Sequence, residues 1–405
     1  MWEPQLRAFS WMDRDSVRKR AQQLDAIAPG TGGQLHGLPI GVKDLIDTAG
    51  IPTEYGSPVF SGRVPERNAS AVALLLESGT IVFGKTVTAE LAYFHPGITT
   101  NPWNPDRTPG GSSMGSAAAV GAGVIPAAVG TQTNGSVIRP AAFCGVVGFK
   151  PTAGRLPTDG VLQFSPALDQ LGVFALNVTR TALLAAIMAG DPPGDWGGEG
   201  STIPPPKLGV VRTPEWNDAE PAARAHFESD IRAARMAGAE VSELEMPRQL
   251  ADALSVHRTI MAAEAYRFVG PLVAAARNLV SRQLLALLDE GGAITTVGYD
   301  AALRAQSDLR RLFQEWAGGV DAIFTLPVLG EAPSVATTGD PRCCTRWTLI
   351  GVPALTLPTG FGPNRLPLGV QLVGHFDRDS DLVRAARWFE SLRPGAGQTA
   401  PWARR

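Results

Sequence analysis

The sequence predicts an α/β fold. Three observations carry that expectation: short apolar runs bounded by glycine, helical spacing of apolar residues between those runs, and a globular composition. Hydrophobic residues make up 44% and charged residues 18% of a 405-residue chain, which is enough to bury a large core. Leu38–Val42 and Ile81–Phe83 read as buried strands, and Ala71–Glu77 between them carries Val72, Leu75 and Leu76 at helical spacing. A strand, helix, strand order argues for parallel pairing. Val124–Val129 and Val146–Phe149 read as two further strands, with the Ala-rich Ser116–Gly121 as a helix ahead of them. Lys207–Val211, Ala222–Ala237 and Glu240–Glu245 repeat the rhythm, and Ala354–Pro358, Gly369–Val373 and the helix Leu382–Phe389 close it.

Residues 1–405 are expected to form one domain. Asp191–Pro206 holds four glycines and five prolines and reads as a surface loop, so 191–330 is where an excursion or lid is expected. Ala251–Leu288 reads as helix covering a face of the core or forming that lid.

The charge balance narrows the partners. Thirty-six Lys and Arg stand against 38 Asp and Glu, which calls for neither nucleic acid nor an anionic membrane. Met1–Gln22 has charges throughout and lacks the apolar core of a secretion signal. Three cysteines, Cys144, Cys343 and Cys344, are too few for a disulfide framework. A cytoplasmic protein that needs no metal or other cofactor is expected, with a small-molecule ligand; a homodimer stays open.

Two serine-rich corners and one lysine carry the chemistry. Gly110-Gly111-Ser112-Ser113-Met114-Gly115-Ser116 precedes a helix but lacks the G-K-[ST] ending of a phosphate-binding loop. Thr131-Gln132-Thr133-Asn134-Gly135-Ser136 follows a strand and precedes Pro140-Ala141-Ala142-Phe143, a helix opening with proline in its first turn. Such a corner presents a nucleophile beside backbone N–H groups, although a serine-rich turn reads the same locally. G-x-S-x-G is absent, and none of the five histidines stands in an acid–base context. Lys43 ends a strand buried on both faces. Either it pairs with Asp44, Asp47 or a more distant carboxylate, or burial lowers its pKa until the neutral amine accepts a proton. From Thr108 to Ile138 no residue is charged, so this stretch offers a nearby lysine little to hold a proton.

Together, Lys43, then Gly110-Gly111-Ser112-Ser113, then Gly135-Ser136-Val137-Ile138-Arg139-Pro140-Ala141-Ala142-Phe143-Cys144-Gly145 closely resemble the amidase signature family, with malonamidase- and allophanate hydrolase-type members the nearest in pattern. Gly84-Lys85-Thr86, Gly148-Phe149-Lys150-Pro151-Thr152, Leu168-Asp169-Gln170-Leu171-Gly172 and Pro367-Leu368-Gly369-Val370-Gln371-Leu372-Val373-Gly374 extend the resemblance over nearly the whole chain. It implies a large, mixed, mostly parallel sheet covered by helices on both faces. It also implies a Lys-Ser-Ser triad: Ser136 as nucleophile, Lys43 as general base, and Ser112, preceded by a cis peptide, as the bridge. The N–H groups of Thr133, Asn134, Gly135 and Ser136 would form the oxyanion hole.

The reaction so implied is cleavage of the C–N bond of a small amide, carbamate or urea through an acyl-enzyme, with no cofactor. The alternative is the amidase subunit of a tRNA-dependent amidotransferase. The near-neutral charge, Gln132 and Val137-Ile138-Arg139 place that second. Met114 and Asn134 depart from the family, which has glycine at both positions; Met114 would narrow the pocket, with Ser113 beside it, and Asn134 would adopt positive φ and add a polar group. Arg139, three residues after Ser136, either binds a substrate carboxylate or braces the loop through backbone carbonyls.

Overall fold

The computed structural model describes residues 3–28, 30–196, 203–393 and 398–400. Its strands are β1 (Phe9–Trp11), β2 (Pro39–Lys43), β3 (Ile81–Thr86), β4 (Ala127–Gln132), β5 (Val147–Lys150), β6 (Gln170–Ala175), β7 (Lys207–Val210), β8 (Glu240–Glu243), β9 (Ala322–Thr325), β10 (Ala354–Phe361) and β11 (Pro367–Val373). They form one sheet in the order β1-β3-β2-β4-β6-β5-β10-β11-β9-β7-β8.

The sheet is mixed, as expected, and its directions are unevenly distributed. Parallel pairing joins β3-β2-β4 toward one end and β9-β7-β8 at the other. Everything between β4 and β9 is antiparallel, so the expectation of mostly parallel pairing holds at the two flanks and gives way in the middle. The apolar runs 354–358 and 369–373 are the reason. They pair with each other directly, Ala354 opposite Val373, where a parallel reading needs a crossover between them. Strand β6, which no apolar run in the sequence analysis marks, inserts between β4 and β5.

Alternation along the strands covers both faces. Val129, Val173, Phe324, Leu355 and Leu372 pack with helices Ser70–Glu77, Val178–Ala189, Pro221–Met236 and Asp379–Ser391. Their strand neighbours Ala128 and Phe174 pack under helices Met114–Gly121 and Ile138–Cys144. Ile323, Ala354 and Val373 pack with helices Leu254–Phe268, Arg282–Ala293, Thr296–Ala317 and Arg342–Leu349. The expected helix over 251–288 is broken by Gly270-Pro271 into Leu254–Phe268, Gly270–Val273 and a 3-10 turn at Ala274–Leu279 before Arg282–Ala293 begins. Of the Gly- and Pro-rich 191–206, residues 197–202 lie outside the described residues.

This topology opens one edge for a site. Lys43 is the last residue of β2 and Gln132 the last of its parallel neighbour β4, so both strands release their chains on the same side of the sheet. The loop before helix Met114–Gly121 passes there as well. Gly130 admits it, because a Cβ at that position would stand 2.6 Å from Ser113 Oγ.

Candidate active site

Lys43 is fully buried and, among the described residues, has no carboxylate in contact. Its Nζ lies 2.7 Å from Ser112 Oγ and 2.7 Å from Thr131 Oγ1, two hydroxyls of the charge-free stretch. The candidate ion-pair partners are engaged elsewhere: Asp44 accepts from the amide of Glu54 at 3.1 Å, and Asp47 binds Arg63 at 2.7 and 2.8 Å. Burial holds Lys43 well below the ordinary lysine value; the charge of Asp169 opposes this and that of Arg139 adds to it.

Ser112 and Ser136 line one cleft of about 340 Å³ together with Ala89, Ala92, Tyr93, Phe94, Thr133, Asn134, Arg139, Phe164, Met261 and Thr338. The Gly111–Ser112 peptide is cis. Ser136 Oγ makes no hydrogen bond among the described residues, so the Lys43–Ser112 contact is formed and the Ser112–Ser136 contact is not.

The loop between β4 and helix Ile138–Cys144 is ordered by Gln132. Its Oε1 accepts from the amides of Val137 and Ile138 at 2.7 and 3.0 Å, capping that helix, and its Nε2 donates to Thr348 Oγ1 at 2.9 Å. The helix begins two residues before Pro140. The N–H groups of residues 133–136 have no partner among the described residues. Asp169 supports the same loop, accepting from Thr133 Oγ1 at 2.5 Å and from the amides of Phe164 and Ser165 at 2.8 Å. Burial raises its pKa to about 6 against those hydrogen bonds.

The expected substrate contacts separate into two groups. Arg139 and Asn134 line the cleft; Ser113 and Met114 do not. Ser113 Oγ donates to the carbonyl of Thr131 at 3.1 Å, and Met114 Sδ accepts from the amide of Gly97 at 3.1 Å, so both side chains are spent behind the wall. Asn134 does not have positive φ; its Oδ1 accepts from Thr345 Oγ1 at 2.6 Å, which turns the carbonyl end of the amide toward helix Arg342–Leu349. Arg139 donates to the carbonyls of Thr338 at 2.8 Å and Gly111 at 2.6 Å, while its buried Nη1 has no partner among the described residues. Burial lowers its pKa to about 10.

Sequence reasoning assigns no role to Thr131 or His257. Thr131 stands inside the motif that carries Ser136. His257 is 124 residues from Thr133, whose carbonyl its Nε2 meets at 2.9 Å, and no local pattern marks that contact.

A family model described as Amidase matches residues 2–383. The chain belongs to the amidase family. It is therefore a C–N bond-cleaving enzyme of the amidase class. A glutamyl-tRNA(Gln) amidotransferase subunit from Chloroflexus aggregans is 33% identical, covering 96% of this chain and 90% of that protein. A crystal structure of an amidase superposes with a TM-score of 0.84 at 31% identity, over 96% of this chain and 92% of the other. The peptide amidase solved with the competitive inhibitor chymostatin gives 0.81 at 28% identity, over 96% and 91%. The curated relative bears the name of an amidotransferase subunit, the reading that the sequence motifs placed second. Among the described residues no helix is long and apolar enough to cross a membrane.

Proposed function

We propose that this amidase cleaves the C–N bond of a small amide, carbamate or urea through an acyl-enzyme on Ser136. The observation that carries the reading is the 2.7 Å contact between a fully buried Lys43 and Ser112, in a cleft that Ser112 shares with Ser136. Ser136 Oγ attacks the carbonyl carbon. Its proton passes to Ser112 Oγ while the Ser112 proton passes to neutral Lys43 Nζ. The oxygen anion is received by the free N–H groups of residues 133–136, each worth about 3 kcal/mol in comparable sites. On collapse the proton returns through Ser112 to the departing nitrogen, and water attacks the acyl-enzyme by the same relay in reverse.

The cleft walls set the size of the acyl group. Tyr93, Phe94, Phe164 and Met261 supply apolar surface, and Arg139 Nη1 supplies the buried unpaired donor. That combination suits a short acyl chain ending in a carboxylate.

The names of the curated relatives favour a second reading, in which the chain is the amidase subunit of a tRNA-dependent amidotransferase and the ammonia it releases is used within that complex. The two readings share the acyl-enzyme and differ in whether the chain turns over alone. Ammonia release by the isolated protein, measured across glutamine, asparagine, simple carboxamides, carbamates and ureas, separates them. Steady turnover alone supports the hydrolase; release only when partner subunits are added supports the amidotransferase; C–N cleavage in neither setting overturns both.

A further inference from the structure

Three successive carbonyls in the loop before Ser136 are each held by a donor from a different helix. His257 Nε2, on helix Leu254–Phe268, lies 2.9 Å from the carbonyl oxygen of Thr133. Thr348 Oγ1, on helix Arg342–Leu349, donates to the carbonyl of Asn134. The amide of Arg139, in helix Ile138–Cys144, donates to the carbonyl of Gly135 at 2.9 Å. The following N–H groups, those of Asn134, Gly135 and Ser136, have no partner among the described residues.

A trans peptide is planar, with its N–H pointing opposite to its C=O, and these three peptides are trans. Each held carbonyl therefore fixes the direction of the N–H that follows. A backbone N–H without a partner in a largely buried loop is uncommon because it is costly, and Gly135 and Ser136 are buried while Asn134 is half-buried. Three in succession, beside a cleft lined by Thr133, Asn134 and Ser136, are accounted for by what the cleft receives.

We propose that His257 and Thr348 are positioning residues of the amide-cleaving site, turning the N–H groups of Asn134 and Gly135 toward the oxygen anion that forms when Ser136 attacks. The proposal rests on Ser136 being the nucleophile. A carbonyl oxygen only accepts, so His257 Nε2 carries its proton. Burial keeps the ring neutral above its lowered pKa of about 4, and the carbonyl of Thr133 at 2.9 Å selects the tautomer with the proton on Nε2. Met261, one helical turn beyond His257, lines the cleft, so one helix both walls the cleft and orients the loop. Thr348 Oγ1 is itself oriented by Gln132 Nε2 at 2.9 Å.

Hydrolysis of p-nitrophenyl butyrate and inhibition by butylboronic acid, which forms a tetrahedral adduct on a reactive serine, test this in the full chain. His257→Leu removes the donor, His257→Gln keeps an N–H at a similar reach, and Thr348→Val removes the hydroxyl at constant volume. His257→Leu and Thr348→Val are expected to lower kcat roughly 10- to 100-fold, below the about 10²–10³-fold lost with a whole oxyanion donor. KM should stay within about twofold, the boronate should bind correspondingly more weakly, and His257→Gln should recover most of the loss. A merely structural tie would change the melting temperature without splitting kcat from KM or weakening the boronate selectively. Unchanged kcat in folded His257→Leu, or equal impairment of the Leu and Gln variants, overturns the role of His257. Should His257→Leu fail to fold, Thr348→Val decides, and an unchanged kcat there overturns the proposal. Hydrolysis surviving in Ser136→Ala overturns the nucleophile assignment instead, which no result at His257 or Thr348 can do.

Discussion

Lys43 and Ser112, 69 positions apart in the chain, meet at 2.7 Å in the interior, while Asp44, the residue next to Lys43, makes no ion pair with it. A lysine removed from water without a carboxylate partner favours its neutral form. The neighbours that hold it are hydroxyls, which can relay a proton and cannot stabilise a charge as a carboxylate does.

The rate of acylation should therefore rise with pH. Lys43 is a base only after losing its proton, so activity is absent while the amine is charged and appears as pH passes its lowered pKa. A pre-steady-state profile with a midpoint well below the roughly 10.4 of free lysine is expected. A flat profile from about pH 6 to about pH 10 contradicts a lysine base in that range.

Lys150 offers a separate test of burial. Its Nζ donates to the carbonyls of Pro151 at 3.0 Å and Val352 at 2.8 Å and to Gln170, and burial lowers its pKa to about 7. In the unfolded chain it titrates near the roughly 10.4 of free lysine, so between the two values the unfolded state binds the extra proton and stability rises with pH. The stability difference between wild type and Lys150→Met, followed by urea unfolding, should grow from about pH 7 toward about pH 10 and then level. A difference that does not change with pH contradicts a lowered pKa.

Arg139 combines the two roles weighed from the sequence. Two of its nitrogens hold the carbonyls of Thr338 and Gly111, and Nη1 has no partner among the described residues. Arg139→Gln should lower the melting temperature and also cost amides that carry a carboxylate about 2–3 kcal/mol more in kcat/KM than neutral amides. Equal losses on both substrate sets leave Arg139 as a brace alone.

Helix Arg342–Leu349, which supplies Thr345 and Thr348 to the loop, is anchored by a buried pair. Arg346 binds Glu215 through two hydrogen bonds at 2.9 and 2.8 Å. Burial pushes the Glu215 carboxyl up, but the Arg346 guanidinium outweighs it and holds the pKa below the ordinary value. Glu215→Ala, which strands a buried guanidinium, should cost about 3–5 kcal/mol in denaturant unfolding. A loss under about 1 kcal/mol shows that the pair is not what anchors the helix.

The strands that flank the site were legible because burial on both faces leaves continuous apolar runs bounded by glycine. That signal located β2, β5, β7 and β11 to within two residues at each end, and it reached β3, β4 and β10 only in part, missing three residues at one end. It did not find β1, three residues long, β6 or β9, and it could not supply direction: the runs at 354–358 and 369–373 look the same whether their strands are parallel or form a hairpin. The triad candidates were legible through motifs. The residues that aim the loop, His257 and Thr348, were not, because each reaches it from a distant helix through one hydrogen bond, and such a contact leaves no periodic trace.

Cysteine chemistry gives a clear contrast for the nucleophile. Cys144 is buried, its thiol points at the carbonyl of Pro109 at 3.3 Å, and burial raises its pKa well above the ordinary value, so it is not a thiolate. The most direct measurement is peptide mapping by mass spectrometry after treatment with a fluorophosphonate, with labelling rates compared among wild type, Lys43→Ala and Ser112→Ala. The predicted result is a single adduct on Ser136 that forms at least about 100-fold more slowly in both variants. An adduct on another residue, or an equal rate in all three proteins, would contradict activation of Ser136 by Lys43 through Ser112.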